Sequence, residues 1–308
     1  MWEDLSKILY IHCGTHKTGT SAIQKFLKNN QEKLEKNNLH YTNIGNTKAY
    51  PDCNHNLAWK ISGDPKLEKL NDSLNDFFEL LKISNKNLII SSEDFQFINL
   101  EKQSYDKFCE EIYKNNYKIK VILYLRNQFD YFRGVYQILL MSAVKFINFK
   151  QALTMIKQND HLLKINKTTF CFNCNFLLKN IKEKLSVSDD DIICKSYDEN
   201  KENLIQSFNN IINFNEISEI ERYSSINVAL PQLVIDLMET LNKNIHISKI
   251  DFKSSAFARR NLVFNKFFRL GKIFQIEDDE TINYFKNEFH KSNLEVENLY
   301  KIRINKFI

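Results

Sequence analysis

Residues 11–24, IHCGTHKTGTSAIQ, join a short apolar run, KILYIHC, to a segment with apolar residues at helical spacing, TSAIQKFLKNNQEKL. Strand, glycine loop and helix in that order predict a cradle for an oxyanion. Glycines let the backbone come close, and the amides at a helix start carry partial positive charge. Gly14 and Gly19 stand five apart, and Thr20 and Ser21 open the helix. The lysine, however, is displaced. A nucleotide-hydrolysing loop places it directly after the second glycine, where this chain has Thr20, and the nearby lysine is Lys17, inside the loop. The backbone N–H groups of Gly14, Thr15, His16, Lys17, Thr18, Gly19, Thr20 and Ser21 are therefore the candidate anion-binding set, with the hydroxyls of Thr18, Thr20 and Ser21 as further donors. An ordinary strand-to-helix turn is the plainer alternative.

The same alternation recurs downstream. LEKLNDSLNDFFELLK reads as a helix, NLIISSED as a strand, YDKFCEEIYKNN as a helix, KIKVILYLRN as a strand and FDYFRGVYQILLMSAV as a helix. Strands apolar on both faces and separated by helices predict an α/β fold, a mainly parallel sheet flanked by helices. DIICKSYDE ends as another strand, after which NLIQSFNNII, LPQLVIDLMETLN and DETINYFKNEFHKSNLEVENLY read as helices, so the last third is mostly helical. The basic, aromatic segment SSAFARRNLVFNKFFRLGK is either a flap over a site or a solvated amphipathic stretch. With 308 residues, no linker rich in Pro, Gly or Ser and no internal repeat, the chain is expected to form a single domain over 1–308. Its α/β core would span 7–200 and its mostly helical extension 201–308.

A formal net charge of +5 with both signs interspersed argues against a dedicated nucleic-acid surface and favours a local cationic pocket for a small anion. The start MWEDLSKILYIHCG runs into an apolar strand without the pattern of a signal peptide or membrane anchor, so a cytoplasmic protein with no transmembrane segment is expected. Six cysteines in 308 residues are too sparse for a disulfide framework. Cys171 and Cys174 form a lone CxxC without the second pair of ligands that zinc requires, so no metal is expected.

The displaced lysine and the segments around it resemble the sulfotransferases that use 3′-phosphoadenosine 5′-phosphosulfate, PAPS. Their phosphosulfate loop has a lysine two residues before the second glycine and Thr or Ser after it, as HKTGTSAIQ does. The likeness runs on through NLIISSEDF, VILYLRNQFDYFRGVYQ, IICKSYDE and SSINVALPQLVIDLMETLN, covering most of the chain, and is nearest to bacterial enzymes acting on glycans. It implies a P-loop-like fold and transfer of a sulfuryl group from PAPS, without a metal, to a hydroxyl or amine of an acceptor such as a glycan in polysaccharide biosynthesis. The other product is adenosine 3′,5′-bisphosphate. Lys17 would then meet the charge growing on the leaving phosphate. The family grips the 3′-phosphate with an arginine at a strand end and a serine eight residues later. Arg126 matches the first, whereas Gly134 stands at the serine position, leaving Arg133, the Gly134 amide or Tyr136 as substitutes. The bland reading of Arg126 is a strand-end arginine paired with a surface carboxylate.

Removing the acceptor proton calls for a base. Glu93, at the carboxyl end of a strand where open α/β sheets place their sites, is preferred over His16, although Glu93 as a simple helix cap is the competing reading. His12, inside an apolar strand, reads as a core residue. Arg259 and Arg260 are further candidates for reaching the nucleotide, and NTKAYPDCNHNLAWKISGDP or the late basic segment for forming the acceptor pocket. Two alternatives remain in view: a degenerate P-loop kinase or NTPase, with Glu93 or Asp94 as its magnesium carboxylate, and a nucleotide-binding module without catalysis.

Overall fold

Among the described residues seven short segments are extended: β1 (Lys7–His12), β2 (Leu39–Tyr41), β3 (Asn87–Ser91), β4 (Tyr117–Leu125), β5 (Leu162–Ile165), β6 (Thr168–Cys171) and β7 (Ile192–Ser196). They are seen in a computed structural model, described over residues 6–61, 73–96, 102–142, 148–165, 168–216, 235–236 and 276–305. Five strands form one sheet in the order β2-β3-β1-β4-β7, every pair parallel. The inner strands β1 and β3 are buried past their first residues, while the edge strands β2 and β7 alternate between buried and half-buried positions. That contrast separates strands with neighbours on both sides from those at the sheet's margins. Leu9 lies opposite Leu88 on one side and Ile119 on the other, and His12 opposite Ser91 and Ile122.

The chain adds β2 and β3 on one side of β1 and then places β4 on the other, so the strand order reverses at β1. A reversal of this kind opens a crevice at the carboxyl ends of the strands. The connections are helical: α1 (Thr20–Asn29) and α2 (Gln31–Lys36), then α3 (His55–Ile61) and α4 (Ser73–Ile83), then α5 (Lys102–Lys114). The continuous helix expected from Thr20 onward breaks at Asn30. The Asn30 side chain and its own N–H both donate to Phe26 O, at 3.0 and 3.1 Å, which ends the first helix where the apolar pattern alone would continue it.

Next come α6 (Gln128–Ser142), α7 (Phe149–Gln158), α8 (Cys174–Leu185), the single turn α9 (Tyr197–Asn200) and α10 (Leu204–Ile211). The last pair, α11 (Asp279–Glu288) and α12 (His290–Tyr300), replaces the one long helix expected there. Asp278 caps α11 by accepting from Thr281 N at 2.9 Å. The antiparallel hairpin β5–β6 and the helices α7 and α8 had no counterpart in the sequence reading.

The described residues group into two compact units, one within Met1–Arg126, Cys174–Ile226 and Glu295–Ile304, the other within Asn127–Asn173, Asn227–Leu294 and Asn305–Ile308. The first is built on the parallel sheet, with Tyr10, Ile23, Phe26, Ile89, Ile122 and Phe208 in its core. The second centres on aromatic rings: Phe132 lies 5.0 Å from Phe285 and Phe172 lies 5.8 Å from Phe285. All six cysteines are free and buried. Among the described residues no helix is long and apolar enough to cross a membrane. The late basic segment with Arg259 and Arg260, and nearly all of LPQLVIDLMETLN, lie outside the described residues.

Candidate active site

Past His12 the chain leaves the sheet, Cys13 N donating to Ile122 O at 3.1 Å, and reaches α1 at Thr20. The curve between them is tight. A Cβ on Gly14 would fall 2.5 Å from Thr20 Cγ2, and Gly19 combines φ 78° with a would-be Cβ 2.2 Å from Leu204 Cδ2, so neither position accepts a side chain without displacement. Thr18 Oγ1 donates to Thr15 O at 2.6 Å, closing the loop on itself, and Thr15 Oγ1 donates to Tyr124 O at 3.3 Å, tying it to β4. Helix α1 begins without a side-chain cap and without an acidic residue in its first turn. Its positive end is thus unanswered by its own sequence.

Lys17 sits in this loop at φ 64°, a conformation that favours glycine. Among the described residues no carboxylate lies within ion-pair distance of its ammonium. Burial, and then the charge of Arg126, push its pKa down from 10.5 to about 8. Arg126 follows the last residue of β4. Its guanidinium lies 5.2 Å from the Tyr197 ring centre, and its buried Nε, without a hydrogen bond, is 3.4 Å from Asp198 Oδ1. The carboxylate beside Arg126 is therefore not a surface group, because Asp198 is only 12% exposed and belongs to the turn that follows β7.

At the end of β3 the chain makes a 3₁₀ turn, Glu93–Gln96. Ser92, not Glu93, caps it, Ser92 Oγ accepting from Asp94 N at 3.0 Å. Glu93 faces the loop instead. Thr20 Oγ1 donates to its Oε1 and Gln24 Nε2 to its Oε2 at 3.1 Å, so the Thr20 hydroxyl expected to serve an anion is directed at Glu93. Burial pushes the Glu93 pKa up, but His55, His16 and the Thr20 hydrogen bond outweigh it and hold the group at about 2. A carboxylate held so firmly ionised is a weak proton acceptor.

Two imidazoles flank it. His55 Nδ1 is 2.6 Å from Ser92 Oγ and 3.4 Å from Asp94 Oδ2, while its Nε2 is 3.8 Å from Glu93 Oε2. His16 Nδ1 is 3.1 Å from Gln96 Nε2, and its Nε2 is 4.0 Å from Asp94 Oδ1. Burial lowers the His16 pKa, with Glu93 and Asp94 opposing that shift. Trp59 Nε1 donates to Asp94 Oδ2 at 2.8 Å and its ring stacks on His55 at 5.7 Å, with Tyr50 edge-on to His55 at 4.8 Å. These three rings belong to the first of the two candidate acceptor segments. His12 is a core residue: Nδ1 meets Ser91 Oγ at 2.7 Å, and burial lowers its pKa to about 4, which keeps it neutral.

Lys17, His16, Glu93 and Arg126 thus follow the carboxyl ends of β1, β3 and β4. Gly134 lies in helix α6 of the second unit and is not among the glycines with positive φ. Of its suggested substitutes, Arg133 pairs with Asp130 at 2.7 Å and Tyr136 is buried in that unit's core. The sequence reading missed His55, Tyr197 and Asp198. The polar partners of His55, Ser92, Glu93 and Asp94, are 37 to 39 residues away in the chain, so no local pattern marks them.

No family model matches the sequence, and no curated protein matches it. Among solved structures the chain is similar to a sulfotransferase from Alicyclobacillus acidocaldarius, with a TM-score of 0.51 at 12% identity over 97% of this chain and 98% of that one. It also aligns with mouse sulfotransferase SULT7A1 complexed with PAP, at a TM-score of 0.40 and 12% identity over 96% and 88% of the two chains. A chain from the PezAT toxin–antitoxin system of Streptococcus pneumoniae gives a TM-score of 0.35 at 13% identity over 85% and 88%. The first similarity establishes the fold, a P-loop-like α/β sheet of the sulfotransferase type.

Proposed function

We propose that the protein is a sulfotransferase that moves a sulfuryl group from PAPS to a hydroxyl, or an amine, of an acceptor, with a glycan as the favoured acceptor class. The observation that carries this reading is Lys17: a half-buried ammonium inside the loop before α1, without a carboxylate partner among the described residues and with Arg126 as its charged neighbour. A buried ammonium without a carboxylate partner is unfavourable until an anion arrives, and a donor bearing phosphates at both ends would bring one anion to Lys17 and another to Arg126, beside Asp198.

In this reading the loop amides cradle the 5′-phosphate and Arg126 receives the 3′-phosphate, for which a planar guanidinium fork is suited. Sulfuryl transfer resembles phosphoryl transfer, with attacking and departing oxygens roughly in line. Charge grows on the departing phosphate oxygen, and a lysine placed within the loop stabilises it there, the role an electrophilic donor plays in other group transfers. The acceptor would approach from the side of Tyr50 and Trp59, where aromatic rings border the carboxylates. The glycan preference rests on the sequence resemblance, and that aromatic border is compatible with a sugar ring.

Titration calorimetry in EDTA tests the donor site. Adenosine 3′,5′-bisphosphate should bind at least tenfold more tightly than AMP or ATP, because those nucleotides lack the 3′-phosphate. Equal affinity for AMP and the bisphosphate would remove Arg126 from that role. Incubation with radiolabelled PAPS and fractionated glycans then identifies the acceptor by the fraction that gains label.

A further inference from the structure

We infer that His55, oriented by Asp94, takes the acceptor proton, and that Glu93 serves beside it as a fixed negative charge. This rests on the sulfuryl-transfer reading above. Among the described residues, His55 brings together three properties required of the base. It borders the phosphate-binding loop through Glu93, which Thr20 and Gln24 hold against α1. It is fixed from both sides, Nδ1 lying 2.6 Å from Ser92 Oγ and 3.4 Å from Asp94 Oδ2, with the ring stacked on Trp59. Its Nε2 has no hydrogen-bond partner among the described residues, and the side chain as a whole is 13% exposed.

The proposal uses the tautomer with the proton on Nδ1, since Asp94 lies nearer that nitrogen, at 3.4 Å, than Glu93 lies to Nε2, at 3.8 Å. A carboxylate facing Nδ1 favours the proton there, which leaves a lone pair on Nε2. That is the division of labour in which a carboxylate orients an imidazole and stabilises the imidazolium without itself taking the proton. Glu93, 3.8 Å from Nε2, adds a second negative charge on the side where the proton arrives. Its own oxygens already accept hydrogen bonds from Thr20 and Gln24, and it is ionised across the whole working pH range. Among the described residues the titratable groups near His55 are then Glu93 and Asp94 from the 3₁₀ turn, His16 from the loop, and Tyr50 and Cys53 before α3. The Cys53 thiol is held neutral, pushed up to about 12 by burial.

The step balances as follows. The acceptor oxygen forms a bond to sulfur while the bond from sulfur to the bridging phosphate oxygen breaks. The departing bisphosphate keeps that electron pair, the acceptor proton passes to His55 Nε2, and His55 later returns it to water.

The test uses the full chain with labelled PAPS, an alcohol acceptor and a phenol ionised at assay pH. His55→Gln should keep bisphosphate affinity within about twofold and lose roughly 10²- to 10⁴-fold in kcat on the alcohol. It should regain most of that loss on the phenol. Added imidazole should restore His55→Ala in a saturable way, which a purely structural role would not allow. Asp94→Asn keeps the imidazole but removes the carboxylate that orients it. Turnover on the alcohol should therefore fall by about tenfold or more while the rate on the phenol changes little, and this variant decides the matter should His55 variants fail to fold. Full activity of folded His55→Gln, no rescue by imidazole, or undiminished turnover of Asp94→Asn on the alcohol overturns the assignment while leaving sulfuryl transfer intact. A parent protein that transfers no label to any acceptor defeats both, and is recognised because no variant need be made to see it.

Discussion

Lys17 shows why one residue of this site could be read from sequence and its neighbours could not. Its position between Gly14 and Gly19 is a property of a six-residue stretch, so spacing alone makes it a candidate for a cradled anion. His55 reaches Glu93 and Asp94 across 38 and 39 positions, and Asp198 reaches Arg126 across 72; nothing local encodes either contact. The same limit hid the state of Glu93, which sequence marks as a strand-end carboxylate but whose acidity comes from Thr20, His16 and His55. For Lys17 the expected experimental signature is a loss specific to the transition state. Lys17→Ala should lower turnover by roughly 10²-fold or more while weakening bisphosphate binding far less, because the growing charge on the departing phosphate exists only during transfer. The ionised phenol should not rescue it, since the leaving group is unchanged. Single-turnover kinetics beside calorimetry separates the two quantities, and equal losses in both would reduce Lys17 to a binding residue.

Elements were legible where one periodicity ran unbroken for long enough. KILYIHC, NLIISSED and KIKVILYLRN each gave a strand within a few residues of the observed β1, β3 and β4 because buried parallel strands are apolar on both faces. Breaks were not legible: Asn30 ends α1 by bonding back to Phe26 O, a competition that the apolar pattern does not record. The hairpin β5–β6 escaped because four-residue strands are too short to show alternation. Gly134 has a consequence at this scale. Positive φ, one reason for a glycine there, is absent, so the residue occupies a helix interior where glycine is less favourable than alanine by about 0.5–1 kcal/mol. Gly134→Ala should therefore raise the unfolding free energy by that amount, read as a higher urea midpoint at unchanged m-value. A lower midpoint would mean that a neighbouring group needs the space of the missing Cβ.

Across the whole molecule, α/β alternation foretold a parallel sheet, but the order β2-β3-β1-β4-β7 depends on which strands pair over distances of 48 to 110 residues. That order is what brings the ends of β1, β3 and β4 side by side and so assembles the site. The folded protein should report its occupation through pH. With a folded pKa near 8 against 10.5, Lys17 opposes folding in full below pH 8, where both folded and unfolded chains carry the proton. Between about 8 and 10.5 the unfolded chain binds more protons, so this group makes stability rise with pH. Bound bisphosphate reverses the preference by favouring the charged lysine. Ligand binding to the folded state alone stabilises by about 2.7 kcal/mol at a hundredfold excess over Kd. At one fixed bisphosphate concentration the stabilisation should thus be greatest near pH 7 and shrink as pH rises from 8 to 9.5. The phosphates do not cause that slope, being ionised already above their second pKa of about 6. Urea unfolding with and without bisphosphate at several pH values measures it, and Lys17→Met, close in volume but uncharged, should flatten it. A parent protein whose ligand stabilisation is the same at pH 7 and 9.5 would place the bisphosphate away from Lys17.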